Sequence, residues 1–352
     1  MRKAVLPSSA SSRARPQRSA LSSPAAKAWG LAALCVAAGA AIVPLRTLTR
    51  DGSPRRTAAP ARKRRPVAQS PEVRRLHGAS SLLATSVLAD SALQHYRGMF
   101  QNPGMFAPLI TSALTLLAGL AGALQKPRLQ SAARGASART AVYASALAVG
   151  AAGTAFHVYN VGKRPGGVNW LNIFYAAPLG APGALSLAGG LGLAAQRLQA
   201  TTAGTSPTLL GVPAGRALAA ITSVALLGAA GEAGLLHFRG AFHNPFMWLP
   251  VSVPPVASLL LADAALGRRS RAPRWLTRSW LRMTALLGAA GMGFHAYGIA
   301  RAMGGWRNWS QNVLSGPPLP APSSFTALAV AGLSALSLIT ARSSHRNGRT
   351  SS

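Results

Sequence analysis

The stretch "LADSALQHYRGMFQNPGMFAP", residues 88–108, occurs a second time in the chain as "AGEAGLLHFRGAFHNPFMWLP", residues 230–250. At matching positions both versions carry an acidic residue, a histidine, an arginine, a glycine and an Asn-Pro pair. Both also follow an apolar run. The repetition of such a polar motif at a constant spacing predicts that the chain contains two copies of one structural unit.

Two further stretches match between the copies. "GAAGTAFHVYNVGKRPGGVNW" (150–170) corresponds to "GAAGMGFHAYGIARAMGGWRNW" (288–309), and "APLGAP" (177–182) corresponds to "PPLPAP" (317–322). Small residues such as those of the Gly-Ala-Ala-Gly sequence let helices approach closely. We therefore expect this part of each copy to be a tight helix contact.

The composition indicates the class of protein. Of the 352 residues, 49% are hydrophobic and only 12% are charged, whereas a soluble domain has about 25% charged residues. Apolar stretches near the length of a bilayer-crossing helix recur along the chain. A soluble helical solenoid would need polar outer faces that these stretches lack. The composition thus predicts an all-α polytopic membrane protein.

We expect eight core transmembrane helices, arranged as two parallel-repeat four-helix units at 76–200 and 214–340 with a linker at 201–213. An even number of spans per unit makes both units enter the membrane from the same side, which predicts parallel repeats. The expected spans are 76–97, 107–124, 140–160, 176–196, 214–239, 246–266, 280–300 and 319–340.

The flanking regions are basic and of low complexity. Residues 1–75 are expected to be disordered apart from a hydrophobic segment at 28–45, which fits a signal sequence, a signal anchor or a further span equally well. Residues 341–352 form a basic tail. The single cysteine, Cys35, excludes an intrachain disulfide.

The charge distribution predicts an orientation. The chain has 37 basic and 5 acidic residues, and most basic residues lie in the tails and in loops on one side of the expected spans. The positive-inside rule makes that side, with the C-terminus, cytoplasmic and directs the repeated motifs outward from the inner (plasma) membrane. This placement at span ends predicts a lipid bilayer as partner and no nucleic acid. His77 and His345 lie among basic flanking residues and are expected to be unremarkable.

Two of the five acidic residues, Asp90 and Glu232, occupy the same position in the two copies. A charged group within a span costs roughly 2.5–3.5 kcal/mol on insertion scales, so it usually faces protein or water. Arg97 and Arg239 follow seven residues later, on nearly the same helix face and about 10.5 Å further along the axis. The four residues are candidate catalytic groups. They form either structural ion pairs or proton-carrying carboxylates with an arginine nearby.

Four histidines are candidate cofactor-binding residues, two in each copy near the outer ends of spans: His95, His157, His237 and His295. Facing helices of a bundle commonly supply cofactor ligands, and two imidazoles can hold a b-type haem or contact a quinone. The alternative is that each histidine only hydrogen-bonds to a neighbouring helix. The chain has no Cys/His zinc spacing, so no metal site is predicted.

The rest of the repeated motif is expected to be a tight connector. Gly98 and Gly240 fit the C-terminal cap of a helix. Asn102 and Asn244 can cap the next helix through their side chains, and the following proline suits a first helical position.

The layout, two four-helix bundles with polar residues near the outer face, is similar to that of quinol-handling membrane subunits of the polysulfide-reductase type. The likeness implies a membrane subunit that handles protons with a quinone or haem for an extracytoplasmic redox partner. Two alternatives stay open. One is a small-solute transporter. Its two pseudo-symmetric halves would rock about a site between them, and Asp90 and Glu232 would be the coupling groups. The other is a structural membrane scaffold.

Overall fold

The computed structural model describes residues 69–125, 132–176, 178–201, 207–267 and 272–350. The hydrophobic segment expected at 28–45 lies outside these residues. The described chain is mostly helical. Its two strands, Thr208–Leu209 and Val212–Pro213, pair antiparallel in a small hairpin before the second half of the chain.

The described residues form ten α-helices. In chain order they are α1 (Pro71–Arg97), α2 (Ala107–Ala123), α3 (Ala132–Gly162), α4 (Trp170–Tyr175), α5 (Gly180–Gln199), α6 (Ala214–Arg239), α7 (Leu249–Leu266), α8 (Arg274–Arg301), α9 (Trp309–Ser315) and α10 (Ser323–Thr350). Short 3-10 helices at Pro103–Phe106, Pro245–Trp248 and Gly305–Asn308 precede α2, α7 and α9.

Five segments among the described residues are helices long and apolar enough to cross a membrane. They are Pro103–Ala123, Gly135–Gly162, Ala214–Arg239, Pro245–Leu266 and Ser323–Ala341. The sequence expectation of an all-α, multi-pass membrane protein agrees with this. Three other helices of comparable length, α1, α5 and α8, are more polar because charged residues or glycines interrupt their apolar runs.

The helices pack with four of them at the centre. Helix α1 contacts α2, α5 and α10, and α6 contacts α7 and α10, while α3 packs on α5 and α8 on α10. One continuous core, made largely of alanine and leucine, extends from α1 through α5, α6 and α10 to α7 and α8. The two halves of the chain therefore share a single interior and meet along α1, α5, α6 and α10.

The Gly-Ala-Ala-Gly sequences lie at close helix contacts. A Cβ atom added at Gly150 would collide with Ser186 of α5, and one added at Gly288 would collide with Thr326 of α10. The Ser186 and Thr326 hydroxyls each donate to a carbonyl one turn before the glycine, at 3.2 and 2.8 Å. The small residues thus permit a hydrogen-bonded approach of two backbones.

His77 is not the unremarkable flanking residue that the sequence suggested. It is 0% exposed, and its Nδ1 lies 2.8 Å from the Tyr143 hydroxyl. The reason is that α1 already begins at Pro71, so His77 lies inside the helix and faces α3 and α5. Its Nε2 and the Oε1 of Gln196 are buried without a protein hydrogen-bond partner. Gly122 leaves room for the imidazole, because a Cβ there would come within 2.6 Å of the ring.

Candidate functional site

The connector after α1 contains two non-glycine residues in the left-handed region. Met99 has φ 56° and Phe100 has φ 46°, and the same geometry recurs after α6 at Ala241 (φ 55°) and Phe242 (φ 47°). Gly98 holds the expected cap position, but its own φ is −80°. Non-glycine residues pay of order 1–3 kcal/mol for such a conformation, which persists only where surrounding contacts impose it.

The strained connector brings an aromatic ring to each motif histidine. The Phe100 ring stacks on Phe106 at 4.5 Å and lies edge-on to His95 at 6.2 Å between centroids. The Phe242 ring lies edge-on to His237 at 6.1 Å and stacks on the next aromatic residue of its own connector. An aromatic ring therefore packs on one side of His95 and of His237.

The expected asparagine caps are present. The Asn102 side chain accepts a hydrogen bond from the Gly104 N–H at 2.9 Å, and the Asn244 side chain accepts one from the Phe246 N–H at 3.0 Å. These caps fix the 3-10 turns whose carbonyls face the histidines.

Each of the four candidate histidines directs its Nδ1 at a main-chain carbonyl. The bonds join His95 to Met105 (2.7 Å), His157 to Pro178 (2.5 Å), His237 to Met247 (2.8 Å) and His295 to Pro318 (2.7 Å). A carbonyl oxygen can only accept, so Nδ1 carries the proton in each case. In the neutral form, each imidazole then keeps its Nε2 lone pair for another partner, which is how proteins orient histidine ligands.

Within each half, the two histidines lie within electrostatic range of each other: His95 with His157, and His237 with His295. All four side chains are half-buried. In each half, one histidine lies near the end of a central helix and the other near the end of a peripheral helix.

The Glu232 carboxylate lies at the boundary between the halves, within electrostatic range of Asp90. Asp90 of α1 and Glu232 of α6 are both half-buried. The Glu232 Oε1 also accepts a hydrogen bond from the Gly180 N–H, at the first turn of α5, at 3.2 Å. Helix N-termini favour negative charge. A Cβ atom at Gly180 would overlap the Glu232 carboxylate, so a larger residue there would require the Glu232 side chain to move.

The arginines do not form the ion pairs that the sequence left open. The Arg97 Nη1 donates to Gln94 Oε1 at 3.3 Å. The Arg239 guanidinium lies over the Phe174 ring, 4.9 Å from its centroid. In the part of the chain that the structure describes, no ion pair neutralises Asp90 or Glu232.

Sequence reasoning did not single out Gly180 or Phe174. The sequence does distinguish Gly180, because the two copies differ at this position. The matching residue of the second copy is Pro320, which has no N–H that could donate to a carboxylate. The Pro320 carbonyl instead accepts a hydrogen bond from Ser86 Oγ at 2.9 Å. Phe174 lies in the short helix α4, and nothing in its sequence context marks it as a partner of Arg239.

Few of the described side chains could bind a cofactor. Among the described residues, no group of three or more His, Cys, Asp or Glu side chains could hold a metal ion. The two histidine pairs and the carboxylate pair are the groups that these helices bring together. They provide lone pairs and proton-binding oxygens at one end of the bundle.

No known protein family, curated protein or solved structure matches this chain. Its function is therefore argued from the chemistry of the site.

Proposed function

We propose that the protein spans the inner (plasma) membrane with eight helices, as two parallel four-helix units with a cytoplasmic C-terminus. The recurrence of the connector geometry, the histidine–carbonyl bonds and the glycine contacts in both halves supports a duplicated unit. The excess of basic residues at one end of the bundle supports the orientation. In it, Asp90, Glu232 and the four histidines lie in the outer half.

Within this arrangement, Asp90 and Glu232 take up and release a proton. The observation that carries the proposal is that Glu232 of the second half accepts a hydrogen bond from Gly180 of the first half, while both acids are half-buried and, among the described residues, form no ion pair with an arginine. Two neighbouring carboxylates in an apolar surrounding hold one shared proton more readily than two negative charges. The Gly180 N–H stabilises Glu232 when it is ionised.

The proton site serves a quinone or b-type haem bound beside the histidine pairs, on behalf of an extracytoplasmic redox partner. Support comes from the Nδ1 anchors, which leave Nε2 of His95 and His157, and of His237 and His295, as acceptors or ligands. Such a group would exchange electrons with the partner. The carboxylates would accept or supply the accompanying proton.

An optical spectrum and a quinone extraction of the purified protein test this assignment. We expect a haem absorption band that His95→Ala and His157→Ala both remove, or a co-purifying quinone whose amount those variants reduce. His243→Ala is the matched control, because His243 is an exposed motif histidine whose side chain hydrogen-bonds to the nearby Gly240 carbonyl. A protein with neither chromophore nor quinone contradicts the redox function.

A small-solute transporter is the second candidate, and the position of the carboxylates favours it. In transporters built from repeats, coupling groups lie at the interface of the two halves, as Asp90 and Glu232 do here. Proton-driven uptake into vesicles that Asp90→Asn and Glu232→Gln both abolish, in a protein without chromophore or quinone, would favour transport. A structural scaffold predicts that both variants affect stability alone.

A further inference from the structure

A cavity of about 440 Å³ lies at the opposite end of the bundle from the histidines. It opens between the N-terminal turns of α1 and α8 and the middle of α10. Its walls are Arg75, Arg278, Arg282, Val330, Leu333 and Ser337. Its volume is within the range of small-ligand sites. Arginines from two helices converge on it, and two apolar side chains of α10 form the opposite wall.

The three arginines lack a protein counter-charge. No acidic residue lines the cavity. Across the described ranges, no hydrogen bond or ion pair joins the guanidinium groups of Arg75, Arg278 and Arg282 to another protein group. Arg278 and Arg282 are four residues apart and so lie on one face of α8. Like charges held this close repel each other unless an anion lies between them.

The three arginines of the cavity are not repeated at the matching positions of the other copy. At the repeat spacing, Arg278 and Arg282 correspond to Thr140 and Ala144, and Arg75 corresponds to Ala217. Arg139 and Arg216 lie one residue away from these positions, but neither lines the cavity, which is formed by α1, α8 and α10.

We propose that this cavity binds the phosphate of an anionic phospholipid headgroup. The guanidinium fork matches phosphate oxygens in geometry and charge. A free phosphate ion shares this chemistry, but Val330 and Leu333 give the cavity an apolar wall that suits the glycerol and first acyl carbons of a lipid. Basic pockets between transmembrane helices at the cytoplasmic side are suited to such headgroups.

Binding of short-chain phosphatidylglycerol to the full chain in neutral detergent tests the proposal. We expect the double substitution Arg278→Gln and Arg282→Gln to weaken binding about tenfold or more, because glutamine is neutral and cannot make a charge-assisted bond to a phosphate. Arg197→Gln is the control, since Arg197 is an exposed arginine at the same end that does not line the cavity. It should leave the affinity within about twofold, a difference well below 1 kcal/mol.

Further measurements distinguish a lipid site from a site for a free anion. Phosphatidylcholine should bind far more weakly than phosphatidylglycerol, and the charge-retaining Arg278→Lys and Arg282→Lys pair should keep most of the anionic-lipid binding. Inorganic phosphate that raises the unfolding temperature as much as the lipid does would overturn the lipid assignment in favour of a free anion. Equal loss of affinity in the Arg197→Gln control would overturn the cavity as the site.

Discussion

Glu232 shows how a single backbone position can distinguish two otherwise similar halves. Its carboxylate is held by the Gly180 N–H, whereas the residue that matches Gly180 in the second copy is Pro320, which has no N–H. The two acids therefore do not have equivalent backbone donors available to them.

Substituting Gly180 should disturb the site directly. We expect Gly180→Ala to lower the free energy of unfolding by about 1–3 kcal/mol, because the added methyl overlaps the Glu232 carboxylate. Gly183→Ala is the control on the same helix, since a Cβ there meets nothing within 4 Å. Denaturant unfolding in detergent measures both variants. Equal effects at the two positions would contradict the close packing at Gly180.

The sequence could identify Asp90, Glu232 and the histidines because each occurs twice in the same context. It could not show which of them meet. That depends on how α1 and α6 rotate against their neighbours, and the structure bonds Glu232 to the Gly180 N–H and places Arg239 over the Phe174 ring. His77 was missed because the adjacent Arg74 and Arg75 made its surroundings resemble a loop, whereas burial is set by the helices that pack against it.

His77 and Tyr143 offer a test of the buried polar contact. The matching positions in the second copy are Ala219 and Leu281. His77→Ala alone should cost about 1–3 kcal/mol, because the Tyr143 hydroxyl loses its buried partner. Adding Tyr143→Leu should make the double mutant's loss smaller than the sum of the single losses by more than about 0.5 kcal/mol. Additive losses in denaturant unfolding would exclude the coupling.

At the scale of elements, the connectors after α1 and α6 store strain. Met99 has φ 56° and is 78% exposed, so its side chain contributes little packing. We expect Met99→Gly to raise the free energy of unfolding by up to about 1 kcal/mol and Met99→Val to lower it by a similar amount or more, because β-branched residues fit positive φ worst. Denaturant titration of the two variants measures this difference. A valine variant as stable as the glycine variant would contradict the left-handed backbone.

Hydropathy predicted the middle of each helix better than its ends. The expected span 214–239 coincides with α6, but 280–300 lies inside the longer α8. Helices continue past the apolar stretch because backbone hydrogen bonding and capping, not lipid contact, decide where they end. The short helices α4 and α9 were not predicted, since six or seven residues carry no detectable periodicity.

At the scale of the whole molecule, the carboxylate pair couples the two halves. Asp90→Asn and Glu232→Gln should therefore be non-additive, with the double mutant's stability differing from the sum of the single changes by more than about 0.5 kcal/mol. Asp90→Asn combined with Glu72→Gln is the control, because Glu72 lies at the opposite end of α1. A double-mutant cycle of unfolding free energies in detergent provides the measurement. Independent effects of Asp90 and Glu232 would mean that the two acids do not share a site.

The meeting of Asp90 and Glu232 also bears on how such a chain could have arisen. Two separate, identical four-helix proteins inserted in the same direction could have dimerised through the faces now formed by α1, α5, α6 and α10. An acid on the dimer axis would then have met its own duplicate, and neither could have changed without the other. Fusion into one chain would have removed that constraint. One acid could then become aspartate and the other glutamate, with a glycine beside only one of them. A symmetric contact could in this way become a site whose two sides differ.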